Sequence, residues 1–343
     1  MSYIRLHFVR LLLSAMLLLF FTCFGRQASA FTIVVTEPQT PLVPNSVIEL
    51  AARMGYFKRE GVNVDFMHVS GTPTAIAALL SGHGDMANVS LQSLLKLSAR
   101  GETGIRAVAS PNKSLSFMIV GRDSIASLSD LRGKIFGIGQ PGTLDNTLTW
   151  QVLRHGGLDP KELRVVSVGH PHSRLLALAS GKIDATTASI GSWLTLPDKK
   201  GLHVIVSKDA YFRAAPVVAK VNVVSQTTLA EKHDQVVKVT AALMKLSRLF
   251  AAHPQRWAKA MHSARPDMPP AKLQALADAY AHDWCVNGGL DRSELERSAE
   301  LLAASPSFKG EHPAPVEAWA DFSIVNEVLG RIGLDTEAAA DRQ

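Results

Sequence analysis

"ALLSGHGDMANVS" occupies Ala78 to Ser90, and "ALASGKIDATTAS" occupies Ala177 to Ser189. Six of the thirteen positions are identical at a constant offset of 99, and a seventh identity, Val69 with Val168, lies upstream. In each copy a helical pattern rich in Ala and Leu stops at Ser-Gly, where glycine can take the left-handed conformation that ends a helix. A short strand follows, starting near Asp85 or Asp184 and ending at Ser90 or Ser189. Ser90 is placed to cap the next helix by accepting from its free backbone amides. Ser189, which precedes "IGSWL", either does the same or opens a tight turn. Common helix–turn–strand grammar could recur by chance, but the constant offset points to two α/β lobes built on one plan.

The flanking sequence extends that plan. "FTIVVT" (31–36) predicts a strand and "SVIELAARMGYFKREG" one helix ending near Gly61. "VNVDFMHVS" predicts a strand, "TPTAIAALLSG" a helix with Pro73 in its first turn, and "DMANV" a strand. "SLQSLLKLSARG" and "IRAVAS" add a helix and a strand. A second series runs through "SFMIVG", "SLSDLRGK", "IFGIG" (135–139), a helix opened by Gly142-Thr143 and closing at His155, "RVVSVG", "HSRLLALASG", "IDATTAS" and "LHVIVS". Strands alternating with helices predict parallel βαβ units and an α/β sheet. After "AAPVVAKVN" the composition turns helical, with helices expected at 227–252, 254–263, 270–284 and 291–304 and a frayed end after Gly333.

At 343 residues, 47% apolar and 19% charged, the chain suits two domains with a large core. Residues 1–30 stand apart. Arg5 and Arg10 precede an apolar run from Leu11 to Phe21, and Ala28-Ser29-Ala30 reads as a cleavage site, the layout of an export signal. A retained anchor is the alternative, but the run falls short of the roughly 20 residues a span needs. Lipidation at Cys23 is a further alternative with a poor lead-in at Phe21-Thr22. Residues 1–30 carry three arginines and no acid, so their removal lowers the formal charge from +6 to +3. Without a stripe of basic residues interleaved with aromatics, nucleic-acid binding has no support. Cys285 has no partner cysteine in the processed chain and reads as a small buried apolar residue.

Five stretches in register, "AARMGYFKREGVNVDF", "GTPTAIAALLSGHGDMA", "SLSDLRGKIFGIGQPGT", "HGGLDP" and "LASGKIDA", resemble the nitrate/sulfonate/taurine-type periplasmic solute-binding proteins of ABC importers. That group also includes binders of thiamine-pyrimidine precursors. The resemblance runs from about residue 32 to 265. It implies a type II periplasmic-binding fold with two α/β lobes joined by two crossover segments near Asn112–Ser116 and Ala214–Val217. Residues 31–116 and 214–343 would form lobe one and 117–213 lobe two. It further implies a periplasmic monomer that takes a small ligand between its lobes and docks on an ABC permease and its ATPase.

In open sheets, ligands sit beyond the carboxyl ends of strands, where helix N-termini offer unpaired amides and partial positive charge. The strand-end candidates are Gln39, Thr40, Ser70, Gly71, Thr72, Asn88, Ser90, Gly142, Thr143, His170 and Ser189, with Trp193 nearby. Trp193 either covers an apolar part of the ligand or packs at a lobe edge. Glu37 could point either way, and Asp145, in a first helical turn, suits a structural role. With few carboxylates and few aromatic faces, the set favours a small sulfonate, nitrate or carboxylate, or a neutral heterocycle, over a quaternary ammonium. Arg174, one turn into its helix, is the one arginine near a strand end.

Other chemistry finds less support. His170-Pro171-His172, with His68 and His83, would need three or four ligands in fixed geometry to hold zinc, and the proline constrains the pair. A loop histidine donating to a ligand is the expected role, and no metal or cofactor is expected. "GIGQPGT" lacks the Lys-Ser/Thr ending of a phosphate loop, and no nucleophile elbow occurs. Pyrimidine-synthesising relatives use a cysteine-rich motif that a single remaining cysteine does not supply. The expectation is a binding protein, not an enzyme; the alternatives are an enzyme on the same scaffold and a receptor subunit that reports its ligand to a signalling kinase.

Overall fold

Both copies of the repeated segment take the same structure in a computed structural model that describes residues 30–36, 42–111 and 116–336. The first half comprises β1 (Phe31–Val35), α1 (Val47–Arg53), α2 (Tyr56–Arg59), β2 (Val64–His68), α3 (Thr72–Leu80), β3 (Met86–Ser90), α4 (Leu91–Ala99) and β4 (Ile105–Ala109). The second comprises β5 (Phe117–Arg122), β6 (Ile135–Ile138), α5 (Leu144–His155), β7 (Arg164–Ser167), α6 (Pro171–Ala179), β8 (Ala185–Ser189), α7 (Ile190–Thr195), β9 (Leu202–Val206) and α8 (Lys208–Ala214). The chain then returns through β10 (Lys220–Ser225), α9 (Gln226–Glu231), α10 (His233–Ala252), α11 (Pro254–Ala264), α12 (Pro270–Ala279), α13 (Arg292–Ala303) and α14 (Ser323–Ile332).

Two five-stranded sheets result, ordered β2-β1-β3-β10-β4 and β7-β6-β8-β5-β9. The plan is the same in each, but neither sheet is wholly parallel as the strand–helix alternation predicts. β1 runs parallel to β2 and β3, and β6 to β7 and β8. β10 lies antiparallel between β3 and β4, and β5 antiparallel between β8 and β9. A helical crossover within one sheet forces its strands to run parallel. β5 and β10 arrive from the other sheet, so that constraint does not bind them.

The repeated residues hold corresponding positions. Gly82 and Gly181 end their helices at φ +73° and +76°, which a Cβ would disfavour. Thr32 N–H donates to Asp85 Oδ2 at 2.8 Å and Asp85 N–H to the Thr32 carbonyl at 2.8 Å. Ile135 and Asp184 exchange the same two bonds, also at 2.8 Å. Each aspartate thus ties the start of its strand to the start of a parallel neighbour, β1 for Asp85 and β6 for Asp184. Ser90 accepts from Ser93 N–H at 3.2 Å and Ser189 from Ser192 N–H at 3.1 Å, so Ser189 caps a helix.

Elsewhere the expected helices are cut. The helix predicted to end near Gly61 breaks at Gly55, which is left-handed at φ +73° and splits it into α1 and α2. The helix predicted over 227–252 divides at Lys232 into α9 and α10. The helix predicted over 270–284 stops at Ala279, and α14 appears where none was expected. Residues 1–29, Glu37, Gln39, Thr40, Asn112–Leu115 and the end after 336 lie outside the described residues.

From Phe31 onward the chain forms one compact unit. One buried apolar cluster spans both sheets, taking in Val34 and Leu94 from the first half and Ile119, Phe136 and Leu148 from the second. A second joins β1 to the helical return through Phe250, Trp257 and Tyr280. Trp257 Nε1 donates to Ser46 Oγ at 2.8 Å, which satisfies the indole inside that core. Among the described residues no helix is long and apolar enough to cross a membrane.

Candidate functional site

The two halves touch directly where strand ends meet helix starts. Gln92, in the first turn of α4, donates from Nε2 to the Gly142 carbonyl at 3.1 Å and to Ser307 Oγ at 3.0 Å. Lys96, one turn on, reaches the same carbonyl at 3.4 Å. Burial, and then the charge of Arg100, hold the Lys96 ammonium below the ordinary lysine pKa. Ser90 N–H points to Thr72 Oγ1 at 3.5 Å. Thr72, Ser90, Gln92 and Gly142 therefore form a chain of neighbours from the start of α3 to the start of α5. On a second contact, a Cβ on Gly191 would fall 2.8 Å from the Leu42 carbonyl, so α7 can approach the first half only because that position is glycine.

Beside Ser90 lies a small recess lined by Val35, Thr36, Asn45, Ile48, Glu49, Asn88 and Lys220. Lys220 pairs with Ser90 in the β10–β3 ladder, and its Nζ donates to Thr36 Oγ1 at 3.4 Å. Asn45 Nδ2 donates to Asn88 Oδ1 at 3.0 Å, and Asn88 Nδ2 to Asn222 Oδ1 at 2.8 Å. Asn45 Oδ1, on a residue 7% exposed, ends that ladder without a partner. Among the described lining residues Glu49 contributes the one carboxylate, 3.8 Å from His68 Nε2.

On the other side of the contact stands the start of α5. Asn146 Oδ1 accepts from Gly142 N–H at 3.1 Å, while Thr143 Oγ1 lies 2.7 Å from the Gln140 carbonyl and 2.6 Å from Asp145 Oδ1 and donates its single proton between them. Asp145 Oδ2 accepts from Arg174 Nη1 at 2.8 Å. Below them Thr149 Oγ1 donates to the Asp145 carbonyl at 2.6 Å and meets Thr187 at 2.7 Å and Tyr211 Oη at 3.1 Å. Burial above all, with the Asp145 charge, raises the Tyr211 phenol well above its ordinary value. Neutral hydroxyls thus hold the backbone of Asp145, whose half-buried carboxylate pairs with the buried Arg174.

Helix starts in this region differ in how they are satisfied. Ser90 and Ser189 cap α4 and α7 through their side chains, whereas Gly71, Thr143 and His170 give α3, α5 and α6 no side-chain cap. Ser70 and His170 are exposed at these uncapped starts. Trp193 does not join them: it packs 8% exposed among Met118, Leu175, Leu178 and Ile183, with Lys199 Nζ 5.5 Å from its ring centre. His172 is exposed, and His83 contacts Ser81 Oγ at 2.8 Å beyond the end of α3. Among the described residues no group of three His, Cys, Asp or Glu side chains is placed to hold a metal.

Sequence reading missed Lys220, Asn45, Gln92 and Asn146. Lys220 opens an antiparallel strand, and the start of such a strand lies level with the carboxyl ends of its parallel neighbours. The presence of an antiparallel return in the pattern would have been the signal. Gln92 and Asn146 each sit two or three residues inside a helix, where local pattern marks them only as polar.

The family described as NMT1/THI5 like matches residues 46–257, more than half of the chain. No curated protein sequence matches it. Among solved structures, a protein of Bordetella bronchiseptica RB50 superposes with a TM-score of 0.72 at 19% identity, covering 89% of this chain and 98% of its own. The periplasmic sulfonate-binding protein SsuA of Methylobacillus flagellatus KT does so at 0.72 and 18%, covering 90% and 96%. The desulfurization enzyme DSZB reaches 0.66 at 17%, covering 88% and 99%. The chain has the fold of the periplasmic binding proteins and belongs to the NMT1/THI5-like family.

Proposed function

We propose that this protein is the extracytoplasmic solute-binding subunit of an ABC importer. It captures a small anionic or neutral polar organic molecule, of sulfonate, nitrate or carboxylate type, between its halves. The observation that carries the reading is the convergence at Gln92 and Gly142 of helix starts from both sheets, beside the Lys220 recess. Such starts favour anions through free amides and partial positive charge, and Lys220 adds a full charge. Closure around a ligand is driven only by contacts better made in the closed form than in the open one. The closed form would then dock on a permease and its ATPase after export and loss of residues 1–30.

The reading is tested by mass spectrometry of small molecules released from protein purified without refolding. A melting-temperature screen of sulfonates, nitrate, carboxylates and pyrimidines accompanies it. A ligand of one of these classes should copurify or raise the melting temperature in proportion to the logarithm of its concentration. If nothing copurifies and every compound leaves the melting temperature unmoved, the capture reading fails. The likeness to an enzyme, DSZB, supports an alternative of catalysis on the same scaffold. Recovery of the added ligand unchanged after long incubation separates binding from turnover. A pyrimidine-type heterocycle is the alternative ligand, and the same screen ranks it.

A further inference from the structure

We infer that Arg174 is the oxyanion clamp of this site, receiving two oxygens of a carboxylate or sulfonate on the paired N–H groups of Nε and Nη2. The inference rests on the capture reading and names the acidic group as the part of the ligand that is recognised. Arg174 is 1% exposed. Its Nη1 is committed to Asp145, but Nε and Nη2 have no partner. Buried donors in folded proteins are almost always paired, so two unmet donors on one guanidinium call for an explanation. Nε–H and Nη2–H lie side by side in the guanidinium plane, and that fork matches two oxygens of one acid group.

The location suits a ligand. A Cβ on Gly139 would stand 3.0 Å from Arg174 Nη1 and 3.5 Å from the Gly169 carbonyl. The guanidinium therefore lies just past the ends of β6 and β7, between the uncapped starts of α5 and α6. Gly142, three residues from Gly139, makes the contact with the other half. Of the seven buried side-chain polar atoms without a partner among the described residues, four belong to Arg174, Asn146 and Gln92. Asn146 Nδ2 adds a third donor next to Asp145 in sequence. Asp145 cancels the arginine's net charge, so the clamp selects by donor geometry more than by long-range attraction.

The test pairs acids with neutral isosteres: ethanesulfonate against ethanesulfonamide, and propionate against propionamide, titrated by calorimetry into wild type and Arg174→Lys. Lysine keeps the charge and loses the fork. The expected result is at least a tenfold weaker acid affinity in the variant, with neutral compounds bound alike by both. Arg174 Nε–H in wild type, assigned by through-bond correlation along its own side chain, should shift in nitrogen-15 NMR as ethanesulfonate saturates. That measurement does not depend on the variant folding. An Arg174→Lys protein that binds acids as wild type does, or an Nε–H signal unmoved at saturation, overturns the inference while capture stands. Wild type that binds only neutral compounds does the same. Wild type that binds nothing in the wider screen removes both.

Discussion

Asp85 and Asp184 are repeated because an amide at the start of the parallel neighbour needs an acceptor in both sheets, not because they meet a ligand. Each accepts from a backbone N–H at the amino end of a sheet, away from the candidate site. Asp85 also holds Lys232 Nζ at 2.8 Å. Replacing either by alanine strands a donor, which costs about 1–3 kcal/mol. Asp85→Ala should cost more than Asp184→Ala in urea denaturation, and ligand affinity should not move. Equal midpoints for wild type and both variants would refute this. Lys220 predicts the reverse pattern. Lys220→Gln should weaken an acidic ligand about tenfold, the worth of roughly one charged hydrogen bond, with the urea midpoint nearly unchanged. Calorimetry showing undiminished affinity would remove Lys220 from the site.

The capped helices give a test at the level of the element. Ser90→Ala and Ser189→Ala each remove a side chain that accepts the third amide of its helix. Each should cost about 1 kcal/mol. The two caps lie in different sheets and share no partner, so the double variant should cost the sum within about 0.5 kcal/mol. A double variant no worse than either single would mean the caps are not independent. Ser-Gly stops, alternating strands and the Ser90 cap were legible because their causes are local, while at Ser189 a cap and a tight turn stayed open until the structure showed the cap. The break at Gly55 was less so, since glycine inside a helical pattern is tolerated in many helices and ends only some. The direction of β5 and β10 was not legible at all, because strand direction depends on which sheet a segment joins.

Two buried phenols set the behaviour of the whole molecule in alkali. Burial first, then Asp145 for Tyr211 and Asp283 for Tyr280, raises both well above the ordinary value of 10.0. In the unfolded chain these phenols ionise near that value, while in the native state they keep their protons. Above pH 10 the native state therefore binds more protons than the unfolded one, and stability falls as pH rises; below about pH 9 the phenols contribute no slope. Urea midpoints at pH 8, 10 and 11 should fall in that order above 10, and Tyr211→Phe should fall less steeply than wild type. Parallel slopes would show that Tyr211 ionises freely in the folded protein. Phenolate absorbance from these two rings should rise only as the chain unfolds.

The amino-acid sequence by itself determined the two-copy plan, most strands and helices, and the family resemblance, because turns, caps and apolar periodicity act over a few residues. It also placed Ser90, Thr72 and Gly142 near the seam, since strand ends and helix starts are local events. Which polar groups complete the site was decided only by tertiary structure. Lys220 arrives at Ser90 across 130 residues of chain, Gln92 crosses to Gly142, and Arg174 is left buried with two of its three guanidinium nitrogens unmet. Those relations depend on how two sheets are oriented and packed, and no short stretch of chain carries that information.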